Sequence, residues 1–162
     1  MKVEVNKTFN FPPEIIFAVL TDIQHHTDWA EGLIELISLT DNPAKFGTKW
    51  EHMSDLLGRR LITSNECNVY ETSHKFGWIT EKPITSQITL SLEPEQDSTK
   101  LTWSVESEAT GIAQLAEPLL VKETKARIQK SFSGLKAYLQ VHASREATGS
   151  RKIDRPLDII GN

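Results

Sequence analysis

The sequence predicts an α+β domain in which an antiparallel sheet packs on one long C-terminal helix. Three observations predict it. Seven short stretches alternate apolar and polar residues, the last six of these follow one another across a few turn-forming residues, and from Pro118 the apolar spacing lengthens to three and four. Alternation with a period of two gives a strand one buried face, and short turns permit only antiparallel neighbours. A stripe at helical period needs a broad apolar partner, which the inner face of the sheet supplies.

The elements follow in order. Val3, Val5, Phe9 and Phe11 share the odd positions of a first strand, a pattern broken at Lys7. PPEIIFAVLTDI then opens a helix: Pro12 and Pro13 stand where a missing N–H costs little, Glu14 suits the positive N-terminal end, and Ile16, Val19 and Leu20 form a stripe. A second short helix is expected from Ile23 to Trp29, ended by Gly32. Six strands are expected at LIELISLT, GTKWEHMS, GRRLITSNECNVYE, HKFGWITE, TSQITLSLE and STKLTWSVESE, separated by DNPAKFG, DLL, TS, KP and PEQD. The long helix carries Leu120, Thr124, Ile128, Phe132, Leu135 and Leu139 as its stripe, with Lys122, Lys125, Arg127, Lys130 and Lys136 largely elsewhere around it.

Composition bounds the function. A chain of 162 residues suits one domain that buries roughly 70% of its unfolded surface. A net charge of -4 and a pI near 5.7 provide no basic footprint, so neither nucleic acid nor an anionic membrane is expected as a partner. MKVEVNKTFN contains no apolar leader and no window reaches the length of a membrane span, so a cytoplasmic location without integral membrane association is expected. The single cysteine, Cys67, rules out an internal disulfide framework and a multi-cysteine metal knuckle within one chain.

Strand period also sorts side chains by face. Trp50, His52 and Ser54 share the face opposite Lys49 and Glu51, and are therefore expected to point inward. The same parity selects Leu61, Thr63, Asn65 and Cys67, then Phe76, Trp78 and Thr80, then Ile88, Leu90 and Leu92, then Leu101, Trp103, Val105 and Ser107. This lining is mainly aromatic and aliphatic, with a few polar groups that must pair with one another, with water or with a ligand's oxygen. His52 as an interior histidine bonded to a neighbour such as Asn65 is the plainer reading, and a general base the bolder one. Cys67 reads as a small hydrophobe.

The stretch HHTDW, residues 25 to 29, raises the question of a metal site. On a helix His25 and His26 stand about 100 degrees apart and cannot present both rings to one ion as an i, i+4 pair does, so no metal ligand is assigned. Trp29 gains most by covering the edge of the core.

The order PPEIIFAVLTDI, TDWAEG, a strand, FGTKW, alternating strands and AEPLL before a long helix resembles the START-like, or SRPBCC, helix-grip superfamily, with its nearest similarity to the polyketide cyclase/dehydrase-like branch. The resemblance covers about residues 1 to 143. It implies a seven-stranded sheet gripping the C-terminal helix, with a cavity between them. In that family the second helix usually reads tyrosine-proline-x-tryptophan, which puts His26, Thr27 and Trp29 at packing positions. Residues 146–162 depart from the pattern, so the expected organisation is a domain over 1–145 and a C-terminal extension over 146–162. Leu157, Ile159 and Ile160 in that extension suggest docking, more on a second copy of the chain than on its own domain.

Two functions of different class compete. The first is the binding of a small hydrophobic molecule of lipid, polyketide or isoprenoid type by Trp50, His52, Thr63, Asn65, Phe76, Trp78, Trp103, Ile128, Phe132 and Leu135. The second is a polyketide cyclase or dehydratase using the same cavity, with His52 as acid or base and Asn65 and Thr63 polarising a carbonyl. No Glu, Asp, Lys or Arg stands among the inward positions, so His52 lacks an evident charged partner and binding is favoured; no catalytic residue and no cofactor is assigned. A third reading, a groove for a protein segment, requires the cavity to be filled by its own side chains.

Overall fold

Alternation at the N-terminus becomes strand β1 (Lys2–Phe9), with Val3 and Phe9 buried. The strand continues through Lys7, whose Nζ lies 5.8 Å from the centre of the Phe9 ring, so an inward-facing lysine at the sheet's edge is accommodated by its aromatic neighbour. Helix α1 (Pro13–Thr21) starts at the two prolines and buries Ile16, Phe17 and Leu20. The computed structural model describes residues 1–82, 84–108 and 111–153.

The second helix is tighter and shorter than expected, a 3-10 helix over Ile23–Asp28. The strands that follow are β2 (Leu33–Leu39), β3 (Lys49–Leu56), β4 (Arg59–Glu71), β5 (Lys75–Lys82), β6 (Ser86–Glu95) and β7 (Ser98–Ser107). A short helix α2 (Ile112–Leu115), absent from the sequence reading, precedes α3 (Glu117–Ile153). The boundary expected after residue 145 falls within α3, and Leu157, Ile159 and Ile160 lie outside the described residues.

The sheet order is β1-β7-β6-β5-β4-β3-β2, and each pair is antiparallel. Consecutive strands from β2 to β7 are neighbours, while β1 joins the far edge with Val3 opposite Val105 and Val5 opposite Trp103. This is the seven-stranded antiparallel helix-grip architecture. Register shifts between Leu33 and Glu35, Leu36 and Ser38, Ser64 and Asn65, and Cys67 and Val69 interrupt the ladders of β2 and β4. Such bulges bend the strand that carries the extra residue and increase its local twist.

Two turns differ from the expected separators. Asp55 and Leu56 stay in β3, and the chain reverses at Leu57 and Gly58, with φ of 52° and 78°, because paired positive φ values match the twist of a two-residue hairpin. β6 likewise runs through Pro94 to Glu95, and Gln96 supplies the positive φ at the next reversal.

The core lies between the sheet and the helices. Ile128, Phe132, Leu135 and Leu139 of α3 are buried with Phe9, Leu101 and Leu90, and the Phe132 ring meets Phe9 edge-on at 5.8 Å. α3 also presses on the segment after the 3-10 helix. A Cβ at Gly134 would stand 2.3 Å from the Trp29 carbonyl oxygen, so only glycine permits this approach. Nearby, the hydroxyl of buried Ser131 accepts the Glu31 N–H at 2.9 Å.

Candidate functional site: a cavity beneath the long helix

Where the curved sheet and α3 separate, they leave a cavity of about 200 Å³. Its sheet wall consists of Trp50, His52 and Ser54 from β3, Thr63 and Asn65 from β4, Trp78 and Thr80 from β5, Ile88 from β6, and Trp103 and Val105 from β7. Thr124, Arg127, Ile128 and Ser131 form the helix wall, and His26, Trp29, Ala30, Glu31 and Leu33 close one end. The chain has four tryptophans, and all four border this space.

Of the ten residues selected from sequence, Trp50, His52, Thr63, Asn65, Trp78, Trp103 and Ile128 border the cavity. Phe76, Phe132 and Leu135 do not: they are buried in the solid core, where Phe76 stacks on Trp50 at 6.4 Å and Phe132 meets Trp103 at 6.0 Å. They back the wall from behind.

The polar residues divide into satisfied and unsatisfied groups. Asn65 accepts a 2.7 Å hydrogen bond from the Thr80 hydroxyl and donates to the carbonyls of Thr63 and Trp50 at 3.3 and 3.4 Å. Thr63 donates to the His52 carbonyl at 3.3 Å, with Ser54 at 3.5 Å. The expected His52–Asn65 bond is therefore replaced by Asn65–Thr80, since those two residues face each other across β4 and β5. His52 Nε2 and Trp29 Nε1 are buried without a hydrogen-bond partner among the described residues. Each such group costs about 1–3 kcal/mol while unpaired.

His25 and His26 part company. His25 is on the surface, its Nδ1 2.6 Å from Asp22, whose other oxygen accepts from Asn42 at 3.0 Å. His26 turns inward, 2.6 Å from the Leu20 carbonyl through Nε2. A carbonyl only accepts, so Nε2 carries the hydrogen and Nδ1 of the neutral ring is an acceptor. The His26 ring stacks at 6.1 Å on His52 and meets Trp29 at 5.2 Å. The HHTDW stretch is thus scaffold and cavity wall at once.

Burial lowers both interior histidines to about 4. For His26 the Leu20 bond and Asp22 offset part of the desolvation, and for His52 the neighbouring His26 adds to it. Both rings are neutral at pH 7, as hydrogen-bonding groups rather than charges. Burial pushes the Cys67 thiol up to about 11, which leaves it an unreactive wall-backing group.

The sequence reading missed His26, Trp29, Arg127 and Ser131 as cavity residues. It also placed no charged side chain inward, whereas Arg127 and Glu31 border the cavity. The signal for the helix residues was present: Arg127 and Ser131 stand four residues apart, three and seven residues after Thr124 of the stripe, on its flank.

A family model described as polyketide cyclase/dehydrase and lipid transport matches residues 1–140. The chain belongs to this family. Among solved structures, this family member is similar to a Thermus thermophilus protein (TM-score 0.72, 15% identity, 88% of this chain and 99% of that one). It is also similar to a START superfamily protein from Mycobacterium smegmatis (TM-score 0.69, 11% identity, 86% and 97%) and to Ara h 8.0201 (TM-score 0.67, 16% identity, 87% and 98%). At these identities the likeness is one of fold. No curated protein matches the chain. No helix among the described residues is long and apolar enough to cross a membrane.

Proposed function

We propose that this family member binds a small hydrophobic molecule of lipid, polyketide or isoprenoid type in the cavity between sheet and α3. The observation that carries the reading is the wall itself: four indole rings around a space of about 200 Å³, interrupted by two neutral histidines and a few hydroxyls. An apolar cavity of about 150 Å³ already accepts a benzene-sized guest, so the space suits a compact ring skeleton or a short chain. Affinity comes from burial, at roughly 25 cal/mol per Å² of apolar surface. The unpaired His52 Nε2 and Trp29 Nε1 orient an oxygen once small side-chain adjustments bring it within reach. Asn65, with its amide already engaged, holds the wall in shape.

A cyclase or dehydratase is the second reading, favoured by the His26–His52 stack beside the cavity. Histidines held near 4 are weak bases and, at pH 7, almost never proton donors, which makes binding the better account. The reading also includes a cytoplasmic location and a homodimer formed through residues 146–162, to be tested by deleting 150–162 and measuring sedimentation.

Native mass spectrometry of the protein purified from its own source tests the proposal by the mass of a retained small molecule. A Thr124→Phe variant, which fills the cavity from the helix side, should lose that adduct. Retention of the same molecule by the filled variant would place it elsewhere and defeat the reading. Turnover of a bound polyketide analogue that vanishes in His52→Leu would decide for the enzyme.

A further inference from the structure

Arg127 has a position that the binding proposal leaves unused. It projects from α3 between two spaces: the cavity already described and a second one of about 210 Å³, and both are bordered by Thr80, Ile88, Val105, Thr124 and Arg127. Its guanidinium is held in place rather than free to swing. One nitrogen, Nη2, donates to the Asp55 carbonyl at the end of β3, and the group lies flat against Gly32, where a Cβ would come within 2.7 Å of both Cζ and Nη1. Gly32 has φ of +84°, so the same glycine makes the turn and vacates the seat.

Among the described residues no carboxylate forms an ion pair with Arg127, although Glu31 borders the inner cavity and Glu123 the outer one. A guanidinium has five N–H donors in a fixed fork, and one carbonyl oxygen engages only part of it. A half-buried cation with spare donors, fixed between two mainly apolar chambers, is arranged to meet an acidic oxygen that arrives with a ligand.

We infer that Arg127 receives the carboxylate of an apolar acid whose ring-sized body lies among the tryptophans. The inference rests on the cavity-binding reading and narrows its ligand class. The acid group sits at the junction of the two chambers, and the second chamber leaves room for a substituent beyond it.

The test uses 1-naphthoate and the uncharged 1-naphthamide, which share a skeleton and a carbonyl oxygen and differ in charge. Both are titrated calorimetrically into the wild-type chain and into Arg127→Gln and Arg127→Lys, with circular dichroism melts to establish folding. The wild type should bind naphthoate at least about tenfold more tightly than naphthamide, the scale of a charge-assisted, partly desolvated contact. Arg127→Gln should weaken naphthoate much more than naphthamide and so remove that preference, and Arg127→Lys should keep part of it. If the glutamine variant fails to fold, the lysine variant, with charge but no fork, must still show a reduced preference. Absence of preference in the wild type, or equal loss of both probes in the variants, would reduce Arg127 to a clamp on the β3–β4 hairpin. Failure of the wild type to bind either probe would overturn the cavity reading and this inference together.

Discussion

At the scale of single residues, the two interior histidines couple stability to pH. Each folded ring takes up a proton only near pH 4, whereas the unfolded ring does so near 6.5. Between these values the unfolded chain holds more protons, so stability is complete above about pH 6.5 and is lost as pH falls toward 4. Each ring contributes on the order of 3 kcal/mol to that loss. Urea unfolding across this window should show the decline, and His26→Gln should flatten it by about half; an unaltered slope in the variant would mean that other groups carry it. Which histidine faces inward was only half legible. Strand parity placed His52 beside Trp50 and Ser54, but a 3-10 helix has no apolar period long enough to sort His25 from His26. Phe76 shares its parity with Trp78 and Thr80, yet it is buried against the Trp50 and Trp78 rings, and only tertiary contact distinguishes wall from core.

At the scale of elements, two glycine-dependent contacts set the geometry around the cavity. Gly134→Ala would improve helix propensity by about 1 kcal/mol, but the added methyl meets the Trp29 carbonyl and must drive α3 away from the end of the cavity. A net loss of about 2 kcal/mol in urea unfolding is expected, and a variant as stable as the parent would show that α3 yields without cost. The β3–β4 hairpin offers the opposite case. Leu57 is half exposed and has φ of 52°, a conformation that suits asparagine far better than leucine. Leu57→Asn should raise stability by about 1 kcal/mol, seen as a higher melting temperature; an unchanged value would mean that the leucine's contacts offset its strain. Here the sequence was legible in kind but not in detail. The strands were evident from alternation, while the turn at Leu57–Gly58 was displaced because a leucine holds its first positive-φ position and Gly58 was assigned to the following strand.

At the scale of the whole molecule, the seven strands and long helix follow from period and turn length, and the cavity follows from a curvature that period does not encode. Register shifts beside Asn65 and Val69, where Glu81 of β5 and Asn68 of β4 are the extra residues, interrupt an otherwise regular pairing, so the space beneath α3 depends on details that become visible only when strands pair. The pairing of β1 with β7 carries a consequence for the order of assembly. β2 through β7 form by successive local hairpins, whereas β1 must wait for a partner about a hundred residues downstream and at the far side of the sheet from β2. Until that capture, β7 is an unpaired edge and α3 lacks the side of its seat formed by Phe9. Closure of the space beneath α3 is therefore expected to be a late event in folding. In pulse-labelling hydrogen exchange, the amides of β3–β6 should gain protection before those of β1, with β1 and α3 becoming protected together; early protection of β1 would exclude this order.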